Sequence, residues 1–308
     1  MPPAAGAPLQ NEWALFPLYP MICKLIAAIV PGADASPERL IAICLLVSNL
    51  ALIGALVLLY RLSLRVLGTH EAAERTNWYL LLSPPGFYFS AAYTESTFLL
   101  LSVAVLLAAS RERWASAALL AAFLTATRPL GVMIGVPLLL LYLRSVRWRL
   151  SAIRPAILWL CLVPAGIAAH LLYCYLQTGD FLAPVHVQTN WGRETSWPWE
   201  SLLNPTEDSR YVNMMDRIVT LSCLALSFLA IFRLPPGYGL YGLLLLLPPL
   251  CTGSLLSITR YCVVAFPAFM MLAILSGRFR HLDPAVRAVL MALQIVLFVA
   301  WCRFYWVG

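Results

Sequence analysis

Long apolar segments separated by short polar turns restrict the fold of this chain more than any other feature of its sequence. About 20 consecutive apolar residues are needed for a helix to cross a bilayer. Backbone that lacks internal hydrogen bonds cannot face lipid, so these segments are predicted to be helices rather than core strands. Charged residues make up only 11% of the chain, against roughly a quarter in soluble domains. The sequence therefore predicts an all-α, polytopic transmembrane bundle, with residues 1–308 as a single integral membrane domain.

The apolar segments predict about ten spans, and the polar segments predict two larger outer regions. The predicted helices cover residues 40–60, 78–93, 95–110, 114–127, 130–143, 155–176, 214–232, 238–252, 257–276 and 286–306. Residues 1–38 are predicted to be an outer or interfacial segment, and residues 177–213 a long outer loop. Within the first of these, residues 15–31 are apolar but include prolines and Lys24, so an interfacial helix and a crossing both remain open.

Basic residues are distributed unevenly between the two faces that this alternation defines. Thirteen of the 21 basic residues fall on one side: Arg61, Arg65, Arg75, Arg111, Arg113, Arg144, Arg147, Arg149, Arg154, Arg233, Arg278, Arg280 and Arg287. Short loops rich in arginine remain in the cytoplasm. That side is therefore predicted to be inside, and the opposite face, which holds ten of the 14 acidic residues, to be outside.

The unusual polar residues collect on the predicted outer face. Glu95 lies at a tight turn between two apolar segments, Arg128 at the next outer turn, and Arg260 at a later one. The loop 177–213 adds aromatic, basic and acidic side chains around Trp191 and Arg193. These positions predict a polar pocket at the outer membrane boundary, while the inner loops are typical of arginines that only set topology.

Several classes of function are disfavoured by the sequence. The eight cysteines have no paired spacing, and the four histidines are far apart in the sequence, so neither a disulfide framework nor a metal centre is predicted. No glycine-rich phosphate loop and no nucleic-acid module is present. Ionisable groups at mid-membrane depth, which a transport pathway needs, are essentially lacking. We predict no cofactor, no metal-ligating residues and no nucleic-acid partner.

Five short motifs, in order along the chain, carry a resemblance to a known family. They are residues 16–20 (FPLYP), residues 83–96 (SPPGFYFSAAYTES), residues 126–131 (ATRPLG), residues 191–199 (WGRETSWPW) and residues 260–267 (RYCVVAFP). In this order they resemble the PIG-V family, and the last two are similar to its bacterial members. The resemblance covers about residues 13 to 270.

The resemblance implies a multi-spanning glycosyltransferase of the GT-C architecture. It would transfer a sugar, by this resemblance mannose, from a polyprenyl-phosphate donor to a lipid or glycan acceptor on the non-cytoplasmic face. The short loops favour a bacterial cell membrane, and a eukaryotic member would lie in the endoplasmic reticulum. Members of the family usually begin with a further helix and an outer loop with a Trp-Asp pair, and residues 1–10 show neither. The alternatives are a misplaced start, a fragment or degenerate copy, or replacement of that acid by Glu12.

The charges that develop in sugar transfer suggest a role for each candidate residue. Attack of a hydroxyl on a phosphate-linked sugar needs a base near the hydroxyl and cations near the departing phosphate. Guanidinium groups remain protonated and match phosphate geometry. Arg128, Arg193 and Arg260 are therefore candidates for holding the phosphate. The carboxylates Glu95 and Glu12 are candidates for orienting or deprotonating the acceptor.

The remaining candidates and the alternatives are less specific. Tyr93, Trp191 and Tyr261 are predicted to contact the substrate, although Tyr93 and Trp191 also suit membrane anchoring. Glu95 could instead cap the helix that follows it, and Arg128 could extend towards lipid headgroups. A second class of function is a non-catalytic membrane partner or a transporter with the same fold.

Overall fold

A computed structural model describes residues 11–30, 36–203, 210–255, 257–279, 281–303 and 305, and no strand occurs among them. In chain order the α-helices are α1 Leu18–Ile29, α2 Pro37–Leu67, α3 His70–Leu82, α4 Glu95–Ala109, α5 Trp114–Thr125, α6 Gly135–Ser145, α7 Ala165–Thr178, α8 Ala183–His186, α9 Pro198–Leu203, α10 Arg210–Arg233, α11 Tyr238–Leu250, α12 Ile258–Val264, α13 Phe266–Ser276 and α14 Leu282–Cys302. Short 3₁₀ segments are Asn11–Ala14, Gly86–Ser90, Pro129–Ile134, Leu150–Ala152, Pro155–Leu162 and Val187–Trp191. The predicted all-α class is confirmed.

The number of helices long enough to cross a bilayer is smaller than predicted. Within the described residues, four helical stretches meet the length and composition of a span: Pro37–Leu67, Pro155–Thr178, Met214–Arg233 and Leu282–Cys302. The pair α12 and α13, bent by 64°, would make a fifth. The other apolar helices have 10–17 residues, so the prediction of about ten spans is not confirmed. At 12 residues, or about 18 Å, α1 is also too short to cross.

The predicted helix 78–93 is wrong as a continuous element. Here α3 begins at His70 and ends at Leu82, and a turn through Pro84 and Pro85 leads into a 3₁₀ segment. Proline lacks the N–H that a helix interior needs. Gln294 of α14 donates from Nε2 to the carbonyls of Leu81 and Ser83, at 2.8 and 3.1 Å. Carbonyl groups at the end of α3 that a continuing helix would have paired thus accept hydrogen bonds from a neighbouring helix.

Helix α4 lies at the centre of the bundle. Its side chains Phe98, Leu99, Val103, Val105 and Leu106 are almost completely buried. It packs against α2 on one side and α5 on another, and it also contacts α6 and α12. By contrast, most of α14 is exposed and it contacts mainly α3. An apolar helix buried all round fixes the position of the residue at its start, which is Glu95.

Close backbone contact joins α5 to α7 at Gly166. A methyl group at this position would lie 2.0 Å from the carbonyl oxygen of Ala122 and 2.7 Å from the amide nitrogen of Ala126. Backbone atoms cannot move aside cheaply, so we expect Gly166→Ala to lower the free energy of unfolding by about 1–3 kcal/mol. Unfolding in detergent monitored by circular dichroism measures the effect. Gly135→Ala is the matched control, because its nearest new contact is at 3.6 Å; equal losses in both variants would contradict the contact.

The two ends of α4 have different neighbours. At its C-terminal end, Arg65 of α2 donates from Nη2 to the carbonyl of Ser110, at 2.9 Å. Its N-terminal end, about 21 Å away by helix geometry, begins with Glu95. Two arginines from other parts of the chain meet Glu95 at that end.

Candidate functional site

Backbone and hydroxyl hydrogen bonds bring three of the sequence motifs together near the start of α4. The amide of Leu18 donates to the carbonyl of Ala126, at 3.1 Å. Tyr19 Oη lies 2.9 Å from Ser48 Oγ, and that hydroxyl donates to the carbonyl of Tyr93, at 3.2 Å. Segments far apart in sequence thus surround one region.

A carboxylate bound by two guanidinium groups forms the centre of this region. Glu95 Oε1 accepts from Arg128 Nη2 at 2.5 Å and from Arg260 Nε at 2.6 Å. The Glu95 side chain is 0% exposed, whereas Arg128 and Arg260 are 13% and 16% exposed. The structure therefore brings together the three charged residues that the sequence predicted at separate outer turns. We call Glu95, Arg128 and Arg260 the arginine-carboxylate cluster.

Aromatic rings surround the two arginines. The Arg260 guanidinium lies 4.3 Å from the ring centre of Tyr93 and 5.2 Å from that of Tyr88. The Arg128 guanidinium lies 5.6 Å from the ring centre of Tyr261. Such contacts stabilise a partly desolvated cation. Tyr93 and Tyr261, both predicted site residues, therefore contact the arginines.

The start of α4 shows that Glu95 does more than cap a helix. Thr94 is the N-cap residue, but its side chain makes no capping hydrogen bond. Instead, Thr94 Oγ1 accepts from Arg128 Nε at 2.6 Å. Both residues at the helix start thus hold Arg128, while the helix N-terminus adds partial positive charge beside the Glu95 carboxylate.

The arginine-carboxylate cluster retains unused capacity for an anion. Two arginines and one carboxylate give a net charge of +1. Among the described residues, Arg128 Nη1 and both Arg260 Nη atoms have no hydrogen-bond partner, since the bonds of these side chains use other nitrogens. Glu95 Oε2 is also buried without a partner. Protonated N–H groups held in a poorly solvated place favour binding of an anionic group such as phosphate.

Along the axis of α2, the arginine-carboxylate cluster lies several turns after the start of that helix. Ser48, which contacts the Tyr93 backbone, is 11 residues after Pro37, or about 16 Å along the helix. Exposed apolar side chains continue past this level on α2 and on α1, which packs beside it. They include Met21, Leu25, Ile41 and Leu46. Exposed apolar side chains on α1 and α2 thus flank the end of the bundle that holds the arginine-carboxylate cluster.

Comparison with known proteins decides the family. The family model described as Mannosyltransferase (PIG-V) matches residues 4–176, more than half of the chain. The chain belongs to this family. No curated protein and no solved structure matches it. The PIG-V resemblance is thereby confirmed, and with it a glycosyltransferase embedded in a membrane. The matched part includes Glu95 and Arg128, whereas Arg260 lies beyond it.

Two further PIG-V candidates, Glu12 and Trp191, lie apart from the arginine-carboxylate cluster in neighbouring 3₁₀ segments. Glu12, proposed as a substitute for the family's acidic residue, belongs to Asn11–Ala14. It is exposed, and within the part of the chain that the structure describes its carboxylate forms no ion pair. Trp191 ends the segment Val187–Trp191, which packs against Asn11–Ala14, and it is also exposed.

The loop that carries Arg193 is held by local contacts. Arg193 donates from Nη1 to Gln188 Oε1, at 2.7 Å. The amides of Glu194 and Ser196 donate to the carbonyls of Thr252 and Cys251, just before α12. The loop thus packs on the segment that leads to Arg260.

A hydrogen bond links two side chains near the beginning of the segment 177–213. His186 Nδ1 lies 2.6 Å from Asp180 Oδ2. Slight burial raises the pKa of Asp180, but the hydrogen bonds from His186 and the Leu182 amide lower it by more, so the pKa is below its ordinary value. Both side chains are partly exposed, and such pairs contribute little to stability.

Sequence reasoning missed one buried acid of the PIG-V chain. Asp216 of α10 was counted among the outer acids and given no role, yet its side chain is buried, at 5% exposure. Asp216 is the third residue of the candidate span Met214–Arg233, near the end of that helix rather than at its middle. The signal that could have found it is its spacing from Thr220, Cys223 and Ser227, which places all four on one helix face. Among the described residues, no group of three or more His, Cys, Asp or Glu could hold a metal ion.

Proposed function

We propose that this chain transfers a sugar, mannose, from a polyprenyl-phosphate donor to a lipid or glycan acceptor. The single observation that supports this most strongly is the arginine-carboxylate cluster, with its net charge of +1 and its unpartnered guanidinium N–H groups. A departing lipid phosphate is an anion that such N–H groups stabilise. The family to which the chain belongs supports the sugar.

The substrate-binding roles follow from the contacts. Arg128 and Arg260 bind the phosphate of the donor, and Tyr93 and Tyr261 support the two guanidinium groups. Glu95 orients both arginines through Oε1. Trp191, Arg193 and Glu12 line the outer approach, where the acceptor enters. A single carboxylate that orders two cations reduces the rearrangement needed when the phosphate leaves.

The depth and face of the arginine-carboxylate cluster support a lipid-linked donor. Apolar surface on α1 and α2 extends past the level of the cluster, so a phosphate carried on a polyprenyl chain can reach it from within the bilayer. The arginine-rich loops lie at the opposite end, as Arg65 beside Ser110 shows. Short basic loops remain cytoplasmic, so we place the reaction on the non-cytoplasmic face of a bacterial cell membrane.

A donor-exchange experiment tests the proposal. The purified protein is reconstituted in vesicles with a membrane lipid extract as acceptor and offered radiolabelled polyprenyl-phosphate mannose, polyprenyl-phosphate glucose or GDP-mannose. We expect labelled product from the first donor and at least about tenfold less from each of the other two, because only the first presents both a lipid phosphate and the family's sugar. Product from GDP-mannose alone, or from no donor, would contradict the proposed donor and favour a non-catalytic role.

A further inference from the structure

One face of α10 is buried along its described length, and it begins with a carboxylate. Asp216, Thr220, Cys223, Ser227 and Ala230 recur at the spacing of a single helix face and are all buried. Such a stripe normally carries apolar or small residues. Burying a charged carboxylate is costly unless a partner compensates it, so its presence at the first position of the stripe requires an explanation.

The neighbours of Asp216 connect it to the arginine-carboxylate cluster. One and two turns further along the same face, Thr220 Oγ1 lies 3.9 Å from Cys262 Sγ, and Cys223 Sγ lies 3.7 Å from the Cys262 carbonyl oxygen. Cys262 is two residues after Arg260 on α12. Asp216 is close enough to Cys262 and to Tyr88 for its charge to act on both. Tyr88 is the ring that lies 5.2 Å from the Arg260 guanidinium.

Asp216 and Glu95 differ in their partners. Glu95 Oε1 is occupied by two guanidinium groups. Asp216 Oδ1 is buried without a hydrogen-bond partner, and within the described residues no cation pairs with the carboxylate. Uptake of a proton relieves the cost of burying an unpaired charge. A carboxylate bound to two cations gains no such benefit, so Asp216 is better suited than Glu95 to accept a proton.

The stereochemistry of the reaction also favours Asp216 over Glu95 as the base. In a displacement at the anomeric carbon, the hydroxyl attacks from the side opposite to the departing phosphate, so the base must lie away from the groups that hold the phosphate. Glu95 is bonded to both of those groups. Within the described residues Asp216 forms no ion pair with either arginine, although its charge acts on Tyr88, the ring beside the Arg260 guanidinium.

We propose that Asp216 is the general base of the transfer, an inference that rests on the proposed function. The acceptor hydroxyl oxygen forms a bond to the anomeric carbon of the donor sugar, and its proton passes to the Asp216 carboxylate. The bond between the anomeric carbon and the phosphate oxygen breaks, and the electron pair leaves with the polyprenyl phosphate, which Arg128 and Arg260 bind. Asp216 then returns the proton to water.

Asp216→Asn separates a catalytic role from a structural one. The substitution preserves shape and removes a buried, unpaired charge, so we expect the midpoint of thermal unfolding to be equal to or higher than that of the wild type. Transfer should fall at least about 100-fold, with little change in KM for polyprenyl-phosphate mannose. The decrease of the wild-type rate at low pH, where the base is protonated, should disappear. Thr220→Val, one turn away on the same face, is the control and should retain wild-type turnover.

Three results would overturn the assignment. Turnover of Asp216→Asn within threefold of the wild type shows that no base was removed. A loss of activity together with a lower unfolding midpoint assigns Asp216 a structural role, and a raised donor KM with unchanged kcat assigns it a binding role. Mannose transfer by the wild-type protein shows whether a failure concerns this inference or the proposed function. If the wild type transfers no mannose from the lipid donor, the proposed function fails and the base with it; if wild type and variant transfer equally, only the base assignment fails.

Discussion

Glu95→Gln is expected to lower sugar transfer at least about 100-fold, because two phosphate-binding arginines lose the group that orients them. It is also expected to lower the free energy of unfolding by about 3 kcal/mol, since the substitution leaves two largely buried cations without their counter-charge. In the native protein both Arg128 and Arg260 bond to the same oxygen of Glu95. Turnover of polyprenyl-phosphate mannose and chemical unfolding in detergent measure the two effects.

Asp283→Asn is the matched control for Glu95→Gln. Asp283 also binds arginine, at 2.8 and 2.9 Å from Arg287, but it lies at the start of α14 and is partly exposed. It should lose less stability, because exposed ion pairs contribute about 0–1 kcal/mol, and it should retain transfer. If Glu95→Gln keeps wild-type turnover while Asp283→Asn does not, the active centre lies elsewhere.

Arg260→Lys is expected to raise the KM for the polyprenyl-phosphate donor at least about tenfold. Lysine keeps the charge but has no planar fork, so it cannot bond to Glu95 and to a phosphate in the same way. A hydrogen bond between charged groups contributes about 1.5–3 kcal/mol, and 1.4 kcal/mol corresponds to a factor of ten. The contact of the guanidinium with the Tyr93 ring, at 4.3 Å, is also lost. Initial rates over a range of donor concentrations measure the change.

Arg287→Lys provides the comparison for this variant. Arg287 forms a bidentate pair with Asp283, and its guanidinium lies 5.5 Å from the centre of the Trp78 ring. Both variants therefore replace a planar guanidinium that lies over an aromatic ring with the compact ammonium group of lysine. Only Arg260→Lys should affect the donor KM. An unchanged KM in Arg260→Lys would remove this residue from the phosphate site.

The sequence predicted that three charged residues lie at one end of the bundle, because a membrane restricts where charges can lie. Alternation of apolar segments placed Glu95, Arg128 and Arg260 at the same end of the bundle, and the structure joins them within 2.6 Å. Helix lengths were predicted less well. Apolar composition shows that a segment can be buried, but it does not distinguish a helix that crosses the bilayer from a shorter helix packed inside the protein.

Asp216 shows why the remaining parts were not predicted. From the sequence it is one acid near the outer end of an apolar segment, and the helix period indicates which residues share its face but not what packs against that face. Helix α12 packs against this face of α10, where its Cys262 contacts Thr220 and Cys223. The neighbours of a side chain come from distant segments, which a local pattern does not contain.

By itself the sequence determined the helical class and the residence in a membrane, because the bilayer penalises unpaired polar groups wherever they lie in the chain. The tertiary structure alone decided that Glu95 is shared by arginines 33 and 165 residues away, and that Asp216 Oδ1 is buried without a hydrogen-bond partner among the described residues. Such pairings depend on which helix faces which, and packing of the whole bundle sets that arrangement.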